Sequence, residues 1–192
     1  MTGKVRPGGR TARTREAVFE AAAALIAERG YDQIAMTDIA ERAGVAATSL
    51  YRRWGDVRVL VMEVAVEELM REHPLPDTGS LRGDLSVWAR SIAASLSSSE
   101  GSSFFRALIA TTMPAGEYES ARSATLAPRS KQIATMLDRA RGRGEKTPSI
   151  PEVLDHLLAP LYVRTLFGAP ADEAFAESLA ERLVATGKTA KD

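Results

Sequence analysis

The sequence predicts an all-α protein with an N-terminal helix-turn-helix, and three observations carry the prediction. Apolar residues recur at steps of three and four from Val18 to Val184, with no convincing alternating run that would mark a strand. Glycine and proline mostly fall between these segments, dividing them into about nine helices. Residues 36–54, M-T-D-I-A-E-R-A-G-V-A-A-T-S-L-Y-R-R-W, have the spacing of two short helices joined at a glycine.

The first helix is expected over 11–29, with Val18, Leu25 and Ile26 inward, Phe19 and Ala22 beside them, and Gly30 as its stop. Ile39, Ala40 and Ala43 then form one face of a short second helix. Gly44 follows where the chain must turn, because a left-handed residue with a Cβ costs about 1–2 kcal/mol. Val45 and Leu50 can pack back on the small Ala40. A third helix over 46–54 leaves Ala47, Thr48, Ser49, Tyr51, Arg52 and Arg53 outside that core. Hydroxyls and guanidinium groups are donors that phosphates and base edges accept from. A fourth helix over 56–73 starts on Asp56 as N-cap, carries Leu60, Val64 and Leu69, and ends before Pro74 and Pro76.

The break at 74–79 is the expected domain boundary. Beyond it Ser80 caps a fifth helix with Leu81, Leu85, Trp88, Ile92 and Leu96 at helical steps, and 95–103 reads as a loop. A sixth helix holds Phe104, Phe105, Leu108, Ile109 and Met113. After Pro114 and Gly116 a seventh runs to near Arg143 with Leu126, Ile133, Leu137 and Ala140 as its stripe, kinked or broken near its start by Pro128. The eighth and ninth cover 151–167 and 171–185. Their apolar positions are Val153, Leu154, Leu157, Leu158, Leu161 and Leu166, then Phe175, Leu179, Leu183 and Val184.

Net charge is zero, but it is unevenly spread. Residues 1–60 hold ten Lys and Arg against seven Asp and Glu, and the remainder holds fifteen against eighteen. A basic head on an acidic body suits phosphate attraction combined with a separate non-DNA role. Lys4, Arg6, Arg10, Arg13 and Arg15 precede any acid, so residues 1–10 read as a flexible basic arm that orders in a minor groove. The absence of cysteine excludes disulfides and a thiol nucleophile and suits the cytoplasm. No signal peptide or membrane span is expected, since the apolar run at 21–27 is short and flanked by Glu20 and Glu28.

Three segments extend the pattern beyond spacing: A-E-R-G-Y (Ala27 to Tyr31), D-I-A-x-x-A-G-V (Asp38 to Val45) and S-L-Y-R-R-W (Ser49 to Trp54). With them, residues from Thr11 to Glu68 resemble the TetR family of bacterial transcriptional regulators. The resemblance implies a three-helix DNA-binding head at 11–73, including the connecting helix, and a helical ligand-binding and dimerisation body at 74–192. It implies base or phosphate contacts for Thr48 and Ser49, and phosphate contacts for Tyr51 and for Arg53, which replaces a frequent histidine. Trp54 takes a core position. The chain departs from the family at Ala35 and Ala46, where hydroxyl caps are favoured, each loss being worth about 0.5–2 kcal/mol. Thr37 is a substitute cap for the second helix. Val57 stands where a phosphate-binding lysine is usual, and Arg58 is the candidate replacement, although it points about 100° away on a helix.

The expected DNA-facing set is therefore Thr37, Ala47, Thr48, Ser49, Tyr51, Arg52, Arg53 and Arg58. By periodicity the last two helices either close a monomeric core or form an interface. The resemblance implies a homodimer through Leu154, Leu157, Leu158, Leu161, Phe175, Leu179 and Leu183, as a palindromic operator requires. Trp88, Phe104, Phe105, Met113, Tyr118 and Met136 are candidate walls of an effector pocket or plain core. Nearby polar residues, Arg90, Arg106 and Thr112, do not converge on a ligand type.

Catalytic and metal motifs are not expected. His73 and His156 are far apart and outside any metal-spaced cluster, His156 reading as a structural hydrogen-bonding group. Gly142-Arg143-Gly144-Glu145-Lys146 lacks P-loop spacing, and Arg82-Gly83-Asp84 reads as a chance match in a helix's first turn. The expectation is a non-enzymatic, cofactor-free, DNA-binding regulator, a repressor released by a small, mainly hydrophobic effector. The alternatives are a small-molecule-binding protein with weak or lost DNA affinity, or a regulator gated by a protein partner.

Overall fold

A computed structural model describes residues 9–111 and 119–186. Residues 1–8 of the expected arm at 1–10, and Thr112, Met113 and Tyr118 of the pocket region, lie outside the described residues, while Gly9 precedes and Arg10 begins the first helix. The helices are α1 (Arg10–Arg29), α2 (Met36–Arg42), α3 (Ala47–Trp54), α4 (Val57–Glu72), α5 (Leu81–Leu96), α6 (Ser99–Ala110), α7 (Glu119–Gly142), α8 (Ile150–Val153), α9 (Ala159–Leu166) and α10 (Glu173–Thr186). A π turn, Leu154–Leu158, joins α8 and α9 into one rod, and a 3₁₀ turn, Tyr31–Gln33, follows α1. The fold is all-α, as expected, with nine helical rods and no strand among the described residues.

The described residues form two compact units: 9–68 with 103–111 and 119–122, and 69–102 with 123–186. This division crosses α4, which runs unbroken to Glu72.

In the first unit α1 packs on α2 and α2 on α3. Val18, Ala22 and Ile26 of α1, Ile39 and Ala40 of α2, Leu50 of α3, and Leu60 and Val64 of α4 are buried. Burial of a large aliphatic side chain contributes about 1.5–3 kcal/mol, so this core outweighs the caps that α2 and α3 lack. Gly44 takes φ +66°, the left-handed turn expected of it, and Val45 N–H then donates to the Ala40 carbonyl at 3.0 Å.

In the second unit α10 packs along α5 and against the π turn. Its core holds Leu85, Trp88, Ile133, Met136, Leu157, Leu161 and Ala180. The start of α5 is secured by carboxylates. Ser80 Oγ accepts Gly83 N–H at 3.1 Å, as expected of the cap, and Glu145 Oε2 accepts Leu81 N–H at 2.9 Å. Asp84 is fully buried and accepts from Thr78 N–H and Oγ–H, with Arg143 3.6 Å away. The Arg-Gly-Asp sequence is thus a structural turn, and the 142–146 segment closes the same network.

Several element expectations change. The 95–103 loop shrinks to residues 97 and 98, because Ser98 Oγ accepts Gly101 N–H at 3.1 Å and starts α6 at once. Helix α7 continues through Pro128, and Leu126 of its supposed stripe is exposed. The eighth helix contains a π turn, in which Ala159 N–H reaches back to the Leu154 carbonyl. Pro160 explains it: proline lacks the N–H and its ring crowds the carbonyl four residues back, and a widened turn just before it relieves both.

Candidate nucleic-acid interface

Helix α3 is held by two buried residues and offers the rest of its surface. Leu50 and Trp54 are buried, four residues apart on one face, while Thr48, Tyr51, Arg52 and Arg53 are exposed and Ala47 and Ser49 half-buried. Ala46 precedes α3 without a side-chain cap, so the helix depends on this anchoring. At its end Gly55, φ +74°, lets its N–H cap the Tyr51 carbonyl.

Trp54 is fixed by more than packing. Its Nε1–H donates to Glu63 Oε2 at 2.7 Å, and the other Glu63 oxygen takes Arg15 at 2.9 Å. Arg15 also pairs with Glu67 at 2.6 Å and lies 3.8 Å over the Phe19 ring. Hydrogen bonds and charge pairs thus cross-link α1, α3 and α4.

The same pairing sorts the basic residues. Arg15 is engaged by two glutamates, which raise its pKa against the opposing effect of burial. Arg42 makes two bonds of 2.6 Å to Glu28. Arg58 forks onto Asp56 at 2.7 and 3.0 Å, while Asp56 caps α4 through Arg58 N–H. Arg52 and Arg53 have no carboxylate partner among the described residues, and Arg53 lies 4.8 Å over the Trp54 ring. Unpaired positive charge thus sits at the end of α3, whereas Arg58, the stand-in for a lysine at Val57, is paired with Asp56.

Thr37 is exposed on α2 but does not cap it. Ala35 is the N-cap, and the Asp38 carboxylate reaches back to Ala35 N–H at 2.9 Å. Asp38 thus supplies the reverse half of a capping box. A cleft of about 380 Å³ runs between the start of α1 and α3, lined by Thr11, Thr14, Arg15, Ser49, Leu50, Arg52, Arg53 and Trp54. Sequence reasoning missed Thr11 and Thr14, whose three-residue spacing on the first turn of α1 was the available signal. They add hydroxyls beside Ser49 and the free arginines.

Residues 18–64 match the family model of bacterial regulatory proteins, tetR family, and residues 75–183 match that of the tetracyclin repressor-like C-terminal domain. The chain belongs to the TetR family. The TetR-family regulator AqdR of Rhodococcus erythropolis, named an HTH-type transcriptional regulator, is 32% identical over 71% of this chain and 65% of its own length. YdeS of Bacillus subtilis, named an uncharacterized HTH-type transcriptional regulator, is 27% identical over 86% of this chain and 85% of its own. The crystal structure of the TetR family transcription regulator SCO0332 superposes with TM-score 0.78 at 25% identity, covering 90% of this chain and 97% of that one. The chain therefore carries a TetR helix-turn-helix head, and the residues expected at its DNA-facing surface lie on or beside α3.

The other two expected sites fare differently. Among the TetR-family pocket candidates, Trp88, Phe104, Phe105 and Met136 are buried, as core or pocket wall equally requires. Of the expected interface residues, Leu157, Leu158, Leu161, Leu179 and Leu183 are largely buried within the single chain, and Leu179 and Leu183 also line a surface groove. Helical periodicity marks a buried face without saying whether the same chain or a second one buries it. The exposed apolar residues here are Leu154, Val163, Leu166 and Phe167, the last 84% exposed. Beside them His156, Pro160, Arg164, Phe175, Leu179, Arg182, Leu183 and Thr186 line a groove of about 520 Å³. His156 is thus exposed on a groove wall. No helix among the described residues is long and apolar enough to cross a membrane.

Proposed function

We propose that this protein is a sequence-specific DNA-binding repressor that acts as a homodimer on a palindromic operator and is released by a small, mainly hydrophobic effector. The observation that carries the proposal is the division of α3: Leu50 and Trp54 lock it down, while Thr48, Ser49, Tyr51, Arg52 and Arg53 stay available with unpaired positive charge. Arginines without carboxylate partners can exchange counterions for phosphate without first breaking an ion pair. Hydroxyls beside them supply the uncharged donors that set register and read base edges.

Dimerisation is supported by the exposed set Leu154, Val163, Leu166 and Phe167, three of which share one face of the α9 end. Release follows if the effector binds more tightly to the state whose recognition helices no longer match successive major grooves. Gel-shift titration on DNA upstream of the chain's own coding sequence tests the reading. Saturable binding that outcompetes random duplex supports it, and loss of preference over random duplex overturns it in favour of a ligand-binding protein without operator affinity.

A further inference from the structure

The second unit contains a polar cluster whose hydrogen bonding is incomplete. Arg129 of α7 lies 4.9 Å over the Trp88 ring and donates through one nitrogen to the His73 carbonyl at 3.1 Å and to Gln132 Oε1 at 3.0 Å. No carboxylate pairs with it among the described residues. Trp88 is fully buried, yet its Nε1–H has no acceptor, and His73, 4% exposed, has no hydrogen bond at its Nε2, which faces the Glu72 carboxylate at 3.7 Å. Such an orphan costs about 1–3 kcal/mol, so the unpaired indole N–H beneath Arg129 calls for a missing acceptor.

The charge of that partner can be read from the tautomer of His73. Ser91 Oγ–H donates to the Trp88 carbonyl at 2.8 Å, which uses the only hydroxyl proton. The 3.2 Å contact between His73 Nδ1 and Ser91 Oγ therefore has Nδ1–H as donor, leaving Nε2 a bare acceptor and the ring neutral. Burial, helped by the charge of Arg129, pushes the His73 pKa down to about 4, in keeping with a neutral ring. Arg129 is then the one cation among these three groups. A monoanion balances it, whereas a dianion would bring an uncompensated second charge out of water.

We propose that Arg129 and Trp88 form the head-group site for a small monocarboxylate with an apolar body. The carboxylate accepts from the free guanidinium N–H groups and from the indole N–H, which lies on the ring beneath the same guanidinium. Ile133 and Met136, one and two turns along α7 from Arg129, and Ile92, one turn along α5 from Trp88, are buried apolar neighbours for the body. The inference rests on reading this unit as effector-binding, and it replaces the weak polar candidates Arg90 and Arg106 with a specific cation.

Calorimetric titration of the full chain, without DNA, with octanoate, octanol, octylamine and octyl phosphate tests it. Octanoate is expected to bind about tenfold or more tighter than octanol, with octylamine and octyl phosphate weaker than octanoate. Arg129→Met should erase the preference for octanoate over octanol while leaving octanol binding unchanged. Equal affinity for octanol, absence of octanoate binding, tighter binding of octyl phosphate, or a preference that survives Arg129→Met would overturn the assignment. Because the comparison among ligands uses the unmodified chain, it stands even if the variant folds poorly. Without DNA in the cell, its failure is separate from failure of operator binding.

Discussion

Trp54 donates its indole N–H to Glu63 at 2.7 Å, so the last residue of the recognition helix is bonded to the helix that leaves the head. The other Glu63 oxygen holds Arg15 at 2.9 Å, so one carboxylate ties α1 and α3 to α4. Trp54→Phe keeps an aromatic ring at this place but removes the bond together with part of the ring packing on Phe19. It should lower unfolding free energy by about 1–2 kcal/mol in denaturant titration and weaken every DNA site alike. An unchanged stability would mean that the ring's packing alone anchors α3.

The buried His73 predicts an acid sensitivity. Its pKa falls to about 4 in the folded chain because burial disfavours the charged ring, against about 6.5 unfolded. Below pH 6.5 the unfolded chain takes up the proton first, so stability is full above about pH 6.5 and declines until pH 4, by about 3 kcal/mol. Denaturant midpoints at pH 7 and pH 4.5 should differ less in His73→Gln than in the unmodified chain.

Two glycines give opposite forecasts. A Cβ on Gly101 would strike the Ser95 carbonyl at the tight α5–α6 corner, so Gly101→Ala should cost about 1–3 kcal/mol. Gly142 ends α7 with nothing near its absent Cβ and no left-handed angle. Gly142→Ala should be neutral or stabilising by about 0.4–1 kcal/mol. Thermal unfolding of the two variants side by side checks the corner's geometry.

The apolar surface at the α9 end predicts association. Phe167→Glu, at a residue 84% exposed in the single chain, should leave the fold intact and shift sedimentation mass from dimer to monomer. By contrast Leu161→Glu places a charge in the chain's own core and should unfold it. A monomeric mass for the unmodified chain at micromolar concentration would remove the dimer from the account.

The head was legible because its signals are local. Gly44 fixes the turn, and Ile39, Ala40 and Leu50 mark a core that the structure buries. What spacing could not show was which arginines remain free, since the partners of Arg15, Arg42 and Arg58 are read from tertiary contacts or side-chain direction. Nor could it show that Asp38, not Thr37, completes the start of α2. In the body, the leucines assigned to an interface form a stripe buried largely by their own chain, which periodicity alone does not distinguish from burial by a second one. The π turn escaped because its cause, Pro160, sits two residues beyond it and looks like any proline in a helix. The cluster at Arg129 joins residues from α4's end, α5 and α7, a conjunction no window of sequence contains.

Base reading and positioning should separate by substitution on α3. Thr48→Ala should relax preference at one base position, whereas Tyr51→Phe should weaken all sequences similarly. Competition against single-base variants of the operator distinguishes the two, and the reverse pattern would exchange their roles.

The salt dependence of binding to the chain's own upstream DNA, compared between the unmodified protein and Arg53→Ala, tests the central claim most directly. Affinity should fall steeply with salt, and the log–log slope should flatten by about 1 in the variant, as loss of one phosphate contact requires. A slope unchanged by Arg53→Ala, or binding indifferent to salt, would contradict the placement of the DNA-binding charge on α3.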